Sequence, residues 1–195
     1  MIQLQGLDTR HLYLGLLALV IAERLLELRL ARRNLRWAQA RGGVEVGRGH
    51  YPWMVLLHTL FLVGCAVEPF WPGRPFVPAL ALPMLLLLVA TMALRYWAVR
   101  TLGVRWTTRV VVVPGLAPVA AGPYRFLRHP NYLAVILEGI ALPLIHTAWI
   151  TALVFTAANA VLLSVRIRTE EAALERHGDY GRHLGDRPRL VPGAR

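Results

Sequence analysis

The sequence predicts an all-α integral membrane protein with about five transmembrane helices. Three observations predict this class: a mean hydropathy of +0.46, charged residues at only 17% of the 195 positions, and long apolar segments separated by groups of arginine. Soluble domains carry about 25% charged residues, so a chain this apolar favours a lipid environment. We expect one domain over residues 1–195, because no internal repeat or low-complexity segment divides the chain.

The apolar segments locate the spans, because a membrane helix needs about 20 mostly apolar residues. The predicted spans cover residues 11–30, 52–67 and 76–94, followed by a pair of helices within 131–164. The last segment is too long for one helix, and it predicts a helical hairpin that turns near His146 and Thr147. Charged side chains in the last turns of the first span are expected to emerge at the membrane interface; they are Glu23, Arg24, Glu27 and Arg29.

Arginine distribution predicts the orientation of these spans. The connection between the first two spans, the connection between the third and fourth, and the C-terminal tail are rich in arginine, whereas the opposite side carries only Arg10 and Arg74. The positive-inside rule places the arginine-rich side in the cytoplasm and the N-terminus outside, in a multi-pass protein of the cell membrane. The net charge of +11 is thereby explained by anionic lipid headgroups, and no nucleic-acid partner is expected.

The segment GPYRFLRHPNYL, residues 122–133, places polar residues directly before the predicted hairpin. Pro130 suits the first turn of a helix, so Arg128 and His129 are expected just before a helix N-terminus, where free N–H groups favour an anion. Tyr132 then lies on the first turn. An interfacial anchor, with arginine on phosphates and tyrosine in the aromatic belt, is the alternative interpretation.

A second polar motif, RIRTEE, covers residues 166–171 after the last apolar segment. On a helix Arg166 is four residues from Glu170, and Arg168 is three residues from Glu171, so two ion pairs are predicted. Such pairs contribute little at a surface. The alternative is that the two adjacent carboxylates hold a ligand, because carboxylates near the hydrocarbon edge are costly unless they are used. The valine run 110–113 between the two motifs predicts an extended segment.

In this order the motifs resemble the isoprenylcysteine carboxyl methyltransferase family, which is built from membrane enzymes that use S-adenosylmethionine. The matching residues are Arg128, His129, Pro130 and Tyr132, then Arg166, Glu170 and Glu171, then Gly178 and Tyr180. The chain departs from the family pattern at Ala134 and His183. Its N-terminal part resembles a bacterial branch that methylates hydroxyls of long-chain alkylresorcinols or alkylpyrones.

The resemblance implies a cytoplasmic site for S-adenosylmethionine and a lipophilic acceptor that enters from the bilayer. It implies that the cofactor is bound by Arg128, His129, Pro130, Tyr132, Leu133, Glu170, Glu171 and Tyr180. It implies catalytic roles for Arg166, Glu170 and His129, with Arg166 holding the acceptor oxygen. No metal is expected, because the histidines are scattered without ligand spacing.

The sequence leaves the acceptor and the oligomeric state open. A carboxylate, a phenolic or enolic hydroxyl, and the amine of a phospholipid are the candidate acceptors. A different class of function is a small noncatalytic transporter in which Glu138 and His58 act inside the membrane. The alternative to a transport role is a structural one, in which each of these two side chains packs against another polar group inside the bundle.

Overall fold

The computed structural model describes residues 8–178 and 180–190 and confirms the predicted helical class. The described residues form α1 (Thr9–Gln39), β1 (Val44–Val46), α2 (Tyr51–Val67), α3 (Pro78–Leu102), β2 (Val110–Val112), α4 (Pro130–Leu144), α5 (Trp149–Gly178) and α6 (Tyr180–Leu184). The valine run that predicted an extended segment forms β2, which pairs antiparallel with β1, Val44 opposite Val112 and Val46 opposite Val110.

Three helices in the described part of the chain are long and apolar enough to cross a membrane. They are α2, α3 and α5, with candidate spans Arg48–Phe70, Pro78–Arg105 and Trp149–Arg176. Helix α4 is apolar but has 15 residues, or about 22 Å, against a hydrocarbon core of about 30 Å. Helix α1 has 31 residues and carries several charges. The chain is a membrane protein, and the count of five spans stays a prediction.

The outer surface of the bundle suits lipid. Large aliphatic side chains point outward, and Leu19 and Leu153 keep 70% and 72% of their surface exposed. Exposed aromatic side chains lie near opposite ends of α3: Trp71 before its start, and Tyr96 with Trp97 near its end. This distribution matches the aromatic belts of membrane proteins.

The predicted hairpin is confirmed, since α4 ends at Leu144 and α5 begins at Trp149. Thr147 in the turn has a left-handed backbone, with φ of 53°. Its hydroxyl donates to the carbonyl of Pro75 at 2.8 Å, which ties the turn to the segment before α3. His146 is almost fully buried beside α1, with Nε2 3.2 Å from the hydroxyl of Thr9.

The carboxylate of Glu68 joins the end of α2 to the start of α5. It accepts hydrogen bonds from the backbone N–H groups of Ile150 and Thr151 at 3.0 and 2.7 Å, and from the Thr151 hydroxyl at 2.7 Å. Arg74 donates to the same carboxylate at 2.9 Å. A negative charge on the free N–H groups of a helix start is favourable, so Glu68 caps α5.

A largely buried charge cluster joins α1, α3 and α4. Arg95 donates to both oxygens of Glu27, at 2.9 and 2.8 Å, and Arg24 donates to Glu27 at 2.6 Å. The carboxylate of Glu138 lies 3.7 Å from Arg95 and 3.8 Å from Arg24. Arg24 and Glu27, which were predicted to emerge at the membrane interface, therefore pair with residues of α3 and α4 inside the bundle. The partners supplied by α3 and α4 offset the cost of burying these charges.

The substitution Glu68→Gln is expected to lower the free energy of unfolding by about 2 kcal/mol, because it removes the charge from four charge-assisted or capping hydrogen bonds. Thermal or denaturant unfolding in detergent measures this. Glu23→Gln, which changes a half-exposed carboxylate whose ion-pair partner in the described part of the chain is its neighbour Arg24, is the matched control and should cost less than about 0.5 kcal/mol. Equal losses in the two variants would contradict the capping role.

Candidate active site

Two cavities lie side by side inside the bundle and share one wall. The side chains that line both are Trp106, Thr107, Asn131, Tyr132 and Arg166. The first cavity lies under β2 and the segment that follows it, against the start of α4 and the C-terminal part of α5. The second lies between α1, α2, α4 and α5, and its lining is mostly apolar. We call them the polar cavity and the apolar cavity.

The structure brings most of the predicted site residues to the polar cavity. Its lining includes Arg128, His129, Tyr132, Arg166, Glu170 and Tyr180. Pro130, Leu133 and Glu171 are not among its lining residues. Pro130 begins α4 as predicted, with His129 as the residue before the helix. The side chain of His183 lies outside the described part of the structure.

Tyr132 links Arg166 to Glu170 in the shared wall. The Arg166 guanidinium is buried and donates from Nε to the Tyr132 hydroxyl at 2.7 Å, and from Nη2 to the Thr108 carbonyl at 2.8 Å. The Tyr132 hydroxyl donates in turn to the carboxylate of Glu170. The predicted direct pair of Arg166 and Glu170 is replaced by this bridge, because the α4 tyrosine inserts between two residues of α5.

Glu171 turns away from the cavity toward the start of α4. Its carboxylate accepts from Arg189 at 2.7 Å and lies 3.1 Å from Nε2 of His129 and 3.4 Å from Nη1 of Arg128. The predicted pair of Glu171 with Arg168 is wrong: Arg168 is exposed and makes no ion pair with a described residue. The stronger partners come from α4 and the C-terminal residues, which spacing along α5 alone does not reveal.

Residues 185–190, the C-terminal strap, are fastened to the motif before α4. The backbone N–H groups of Arg128 and His129 donate to the carbonyls of Pro188 and Arg189 at 2.9 and 3.0 Å. The Arg128 guanidinium donates to the carbonyl of Arg187 at 2.7 Å and also to that of Gly185. The backbone N–H groups of the two residues that precede α4 thus bind the strap.

Aromatic side chains complete the polar cavity. The ring of His129 stacks on that of Tyr132, with centroids 5.2 Å apart and planes 18° from parallel. Tyr124 and Tyr180 line the cavity and are buried. Burial, followed by the nearby carboxylate of Glu170, raises the pKa of both phenols, so they stay neutral hydrogen-bond donors.

The apolar cavity runs from the shared wall to the buried charge cluster. Leu25 on α1 and Val55 on α2 line it and are half exposed. His58 also lines it, and its Nδ1 lies 2.8 Å from the Met54 carbonyl. With Glu138 beside two arginines, both groups considered for transport have polar partners within the bundle.

Comparison with known proteins identifies the family. The model of the "Isoprenylcysteine carboxyl methyltransferase (ICMT) family" matches residues 84–176, which include the shared wall and both polar motifs. "Uncharacterized protein YpbQ" of Bacillus subtilis (strain 168) is 38% identical over 162 residues, covering 83% of this chain and 96% of the relative. The chain belongs to the isoprenylcysteine carboxyl methyltransferase family.

A second relative, an "Uncharacterized protein" of Haemophilus influenzae (strain ATCC 51907 / DSM 11121 / KW20 / Rd), is 27% identical over 158 residues, covering 80% of this chain and 91% of the relative. Neither relative's description states an activity. The indication that the protein is a membrane methyltransferase therefore comes from the family. Members of the ICMT family use S-adenosylmethionine. Tyr180 and the C-terminal strap lie beyond the residues that the family match covers.

Sequence reasoning missed several residues in the shared wall and beside it. Thr108 contributes a backbone carbonyl to Arg166, and Met54 places its sulfur 3.4 Å from Nη1 of the same guanidinium. Asn131 lies inside the first polar motif at its variable position. No spacing rule connects residues 54 and 108 to residue 166. Asn131 carried a signal, since a polar residue on the first turn of an apolar helix needs a partner.

We expect Glu171→Gln to loosen the C-terminal strap, because it removes the charge that holds Arg189, Arg128 and His129. Hydrogen exchange should then be roughly tenfold faster at the amides of Arg128 and His129. Glu175→Gln is the matched control, since Glu175 accepts from the N–H of Gly181 instead of binding the strap. Loss of ligand binding in Glu171→Gln without faster exchange would show that Glu171 contacts the ligand directly.

Proposed function

We propose that this family member is an S-adenosylmethionine-dependent O-methyltransferase that acts on a lipophilic acceptor at the membrane interface. One observation carries the proposal: Arg166 and Tyr132 lie in the wall common to a polar cavity and an apolar cavity. A methyl donor in the polar cavity and a lipophilic acceptor in the apolar cavity would meet at that wall. Methyl transfer is an in-line displacement, so positioning supplies much of the acceleration.

The polar cavity fits the chemistry of S-adenosylmethionine. Glu170 offers a carboxylate to the ribose hydroxyls or the ammonium, and Arg128 and His129 offer partners to the methionine carboxylate. Tyr124 and Tyr180 offer aromatic surface and neutral hydroxyls. When bound, the cofactor supplies a methyl group on a sulfonium, whose electron pair stays on sulfur after transfer. Pro130, Leu133 and Glu171 would act indirectly, by building the helix start and anchoring the strap.

The apolar cavity suits a molecule with a hydrocarbon tail and a polar head. Among the described residues, the one partner of Arg166 Nη1 is the Met54 sulfur at 3.4 Å, and thioether sulfur is a weak acceptor. An acceptor oxygen would replace it, and the guanidinium would hold that oxygen as an anion in line with the methyl group. A methylated amine would gain positive charge beside this guanidinium, which argues against a phospholipid amine. An oxygen acceptor is therefore preferred, and an aromatic or enolic hydroxyl matches the resemblance to the alkylresorcinol and alkylpyrone branch.

The fate of the proton depends on the acceptor. A carboxylate carries none. From a hydroxyl, the proton would pass to the Tyr132 oxygen while the Tyr132 proton moves to Glu170, along the hydrogen bond that already joins them. His129 lines the polar cavity only, so it is less well placed to receive a proton from the acceptor.

In this proposal the site faces the cytoplasm and the N-terminus lies outside. Helices α1 and α4 would add two crossings to the three of α2, α3 and α5. Pairing within the buried charge cluster would keep Arg24 and Glu27 of α1 away from lipid. The cofactor would enter from the cytoplasm through the polar cavity, and the acceptor from the bilayer between α1 and α2.

The purified protein in detergent is expected to bind S-adenosylmethionine, and two variants should separate binding from turnover. Glu170→Gln should weaken cofactor affinity about 10- to 100-fold, because a charge-assisted hydrogen bond is lost. Arg166→Met should lower kcat by about 100-fold or more with little change in cofactor affinity. Calorimetry with the cofactor and its demethylated product measures affinity, and transfer of a tritiated methyl group measures turnover.

The matched controls are Glu175→Gln and Arg168→Met, which change exposed residues of the same helix. Both should bind cofactor and turn over like the unsubstituted protein. No cofactor binding by folded protein would refute the proposed function. A loss of cofactor affinity in Arg166→Met as large as in Glu170→Gln would place Arg166 in the cofactor site instead.

Activity should rise with the length of the acceptor tail. The binding free energy of the acceptor should become more favourable by about 0.8 kcal/mol per buried methylene until the apolar cavity is filled. The assay offers tritiated cofactor with a long-chain alkylresorcinol or alkylpyrone, a farnesylcysteine analogue, and phosphatidylethanolamine. Label is expected on the hydroxyl-bearing acceptor, with short soluble analogues reacting poorly. Label only on phosphatidylethanolamine would exclude the oxygen acceptor, and label only on farnesylcysteine would select the carboxylate.

A further inference from the structure

The carboxylate of Glu138 makes no hydrogen bond with a described residue, although Glu138 is only 7% exposed. The arginine nitrogens that pair with it, Nη1 of Arg95 and Nε of Arg24, lie 3.7 and 3.8 Å away, beyond hydrogen-bond distance. Nε and Nη2 of Arg95 donate to Glu27, so Nη1 also lacks a hydrogen-bond partner in the described part of the chain. A charged donor and a charged acceptor thus lie 3.7 Å apart without a hydrogen bond between them.

Both of these groups face the apolar cavity. Glu138 and Arg95 are among the residues that line it, and neither lines the polar cavity. Five polar side-chain atoms of the described chain are fully enclosed without a partner: Arg24 Nε, Asn34 Oδ1, Thr91 Oγ1, Asn131 Oδ1 and His146 Nδ1. The Glu138 oxygens and Nη1 of Arg95 are not in this enclosed set, so they keep surface that a molecule in the cavity can contact.

A hydroxyl suits the gap between Arg95 and Glu138, because a hydroxyl accepts one hydrogen bond and donates another. It would accept from Nη1 of Arg95 and donate to the Glu138 carboxylate, and both bonds would be charge-assisted. A carboxylate would be repelled by Glu138, and an ammonium would be repelled by the two arginines. An apolar group would leave the donor and the acceptor unsatisfied, which is costly away from water.

The gap lies within reach of a molecule that also contacts the shared wall. Glu138 is six residues beyond Tyr132 on α4, about 9 Å along the helix axis, and both residues line the apolar cavity. A dihydroxy aromatic head with a hydrogen bond of about 2.8 Å at each hydroxyl covers a comparable length. An acceptor held at Arg166 by one oxygen can therefore place a second oxygen between Arg95 and Glu138.

We propose that Arg95 and Glu138 form a second polar subsite, which binds a hydroxyl of the lipophilic acceptor other than the oxygen that is methylated. This inference rests on the proposed function and deepens it, because it narrows the acceptor to a lipid whose head carries two hydroxyls. A water molecule is the competing occupant, since water also donates and accepts. With only water in the gap, the protein would not distinguish an acceptor with two hydroxyls from one with a single hydroxyl.

The test compares a long-chain alkylresorcinol with an alkylphenol that has the same tail but a single hydroxyl. In steady-state kinetics of the unsubstituted protein, kcat/KM should be at least about tenfold higher for the resorcinol, mainly through KM. Glu138→Gln keeps the shape of the side chain but removes its charge, and it should reduce this ratio at least about threefold. Thr59→Val is the matched control and should keep the ratio, because the Thr59 hydroxyl lines the same cavity but donates to the Val55 carbonyl of its own helix at 2.9 Å.

Equal kcat/KM for the two acceptors with the unsubstituted protein would overturn the inference while the proposed function stands, as would methylation of the farnesylcysteine analogue alone. An equal loss on both acceptors in Glu138→Gln would also overturn it, since it would show a purely structural role in the charge cluster. Thermal unfolding midpoints show whether the variants fold, and if Glu138→Gln does not, the comparison of the two acceptors decides alone. If the unsubstituted protein binds no cofactor in calorimetry, the proposed function fails and this inference fails with it.

Discussion

Charged side chains inside an apolar bundle must meet partners, and in this protein those pairings determine how the helices are arranged. Glu68 holds the start of α5 to the end of α2, and Glu27 joins α1 to α3 through Arg95. Arg166 joins α5 to α4 through Tyr132. Each contact satisfies a group that would be costly to leave unpaired away from water, so the same bonds provide both stability and registry.

The pairing of Arg166 with Tyr132 also forms part of the candidate active site. The bridge from Arg166 through Tyr132 to Glu170 separates a polar cavity from an apolar one, and it is built from side chains on two helices of a hairpin. The hairpin is in turn positioned by Glu68 and Thr147 at its opposite end. In the proposed function, a methyl donor would reach this bridge from the polar cavity and a lipophilic acceptor from the apolar one.

Adjacent residues of α5 have different structural roles. Glu170 lines the polar cavity and accepts from Tyr132, whereas Glu171 anchors the C-terminal strap through Arg189, Arg128 and His129. Successive residues on a helix point about 100° apart, so two neighbouring acids cannot share one ligand easily. The strap is hydrogen-bonded to the motif before α4, so the start of this helix depends on residues far along the chain.

The sequence by itself determined the helical membrane class, the hairpin at His146 and Thr147, the start of α4 at Pro130 and the motifs that surround the polar cavity. These features follow from local composition and spacing, which act over a few residues. Only the tertiary structure decided the partners: Tyr132 between Arg166 and Glu170, Arg189 on Glu171, and Arg95 on Glu27. Pair energies depend on which helices pack together, and this packing brings together residues as far apart in sequence as Thr9 and His146, which are 137 positions apart.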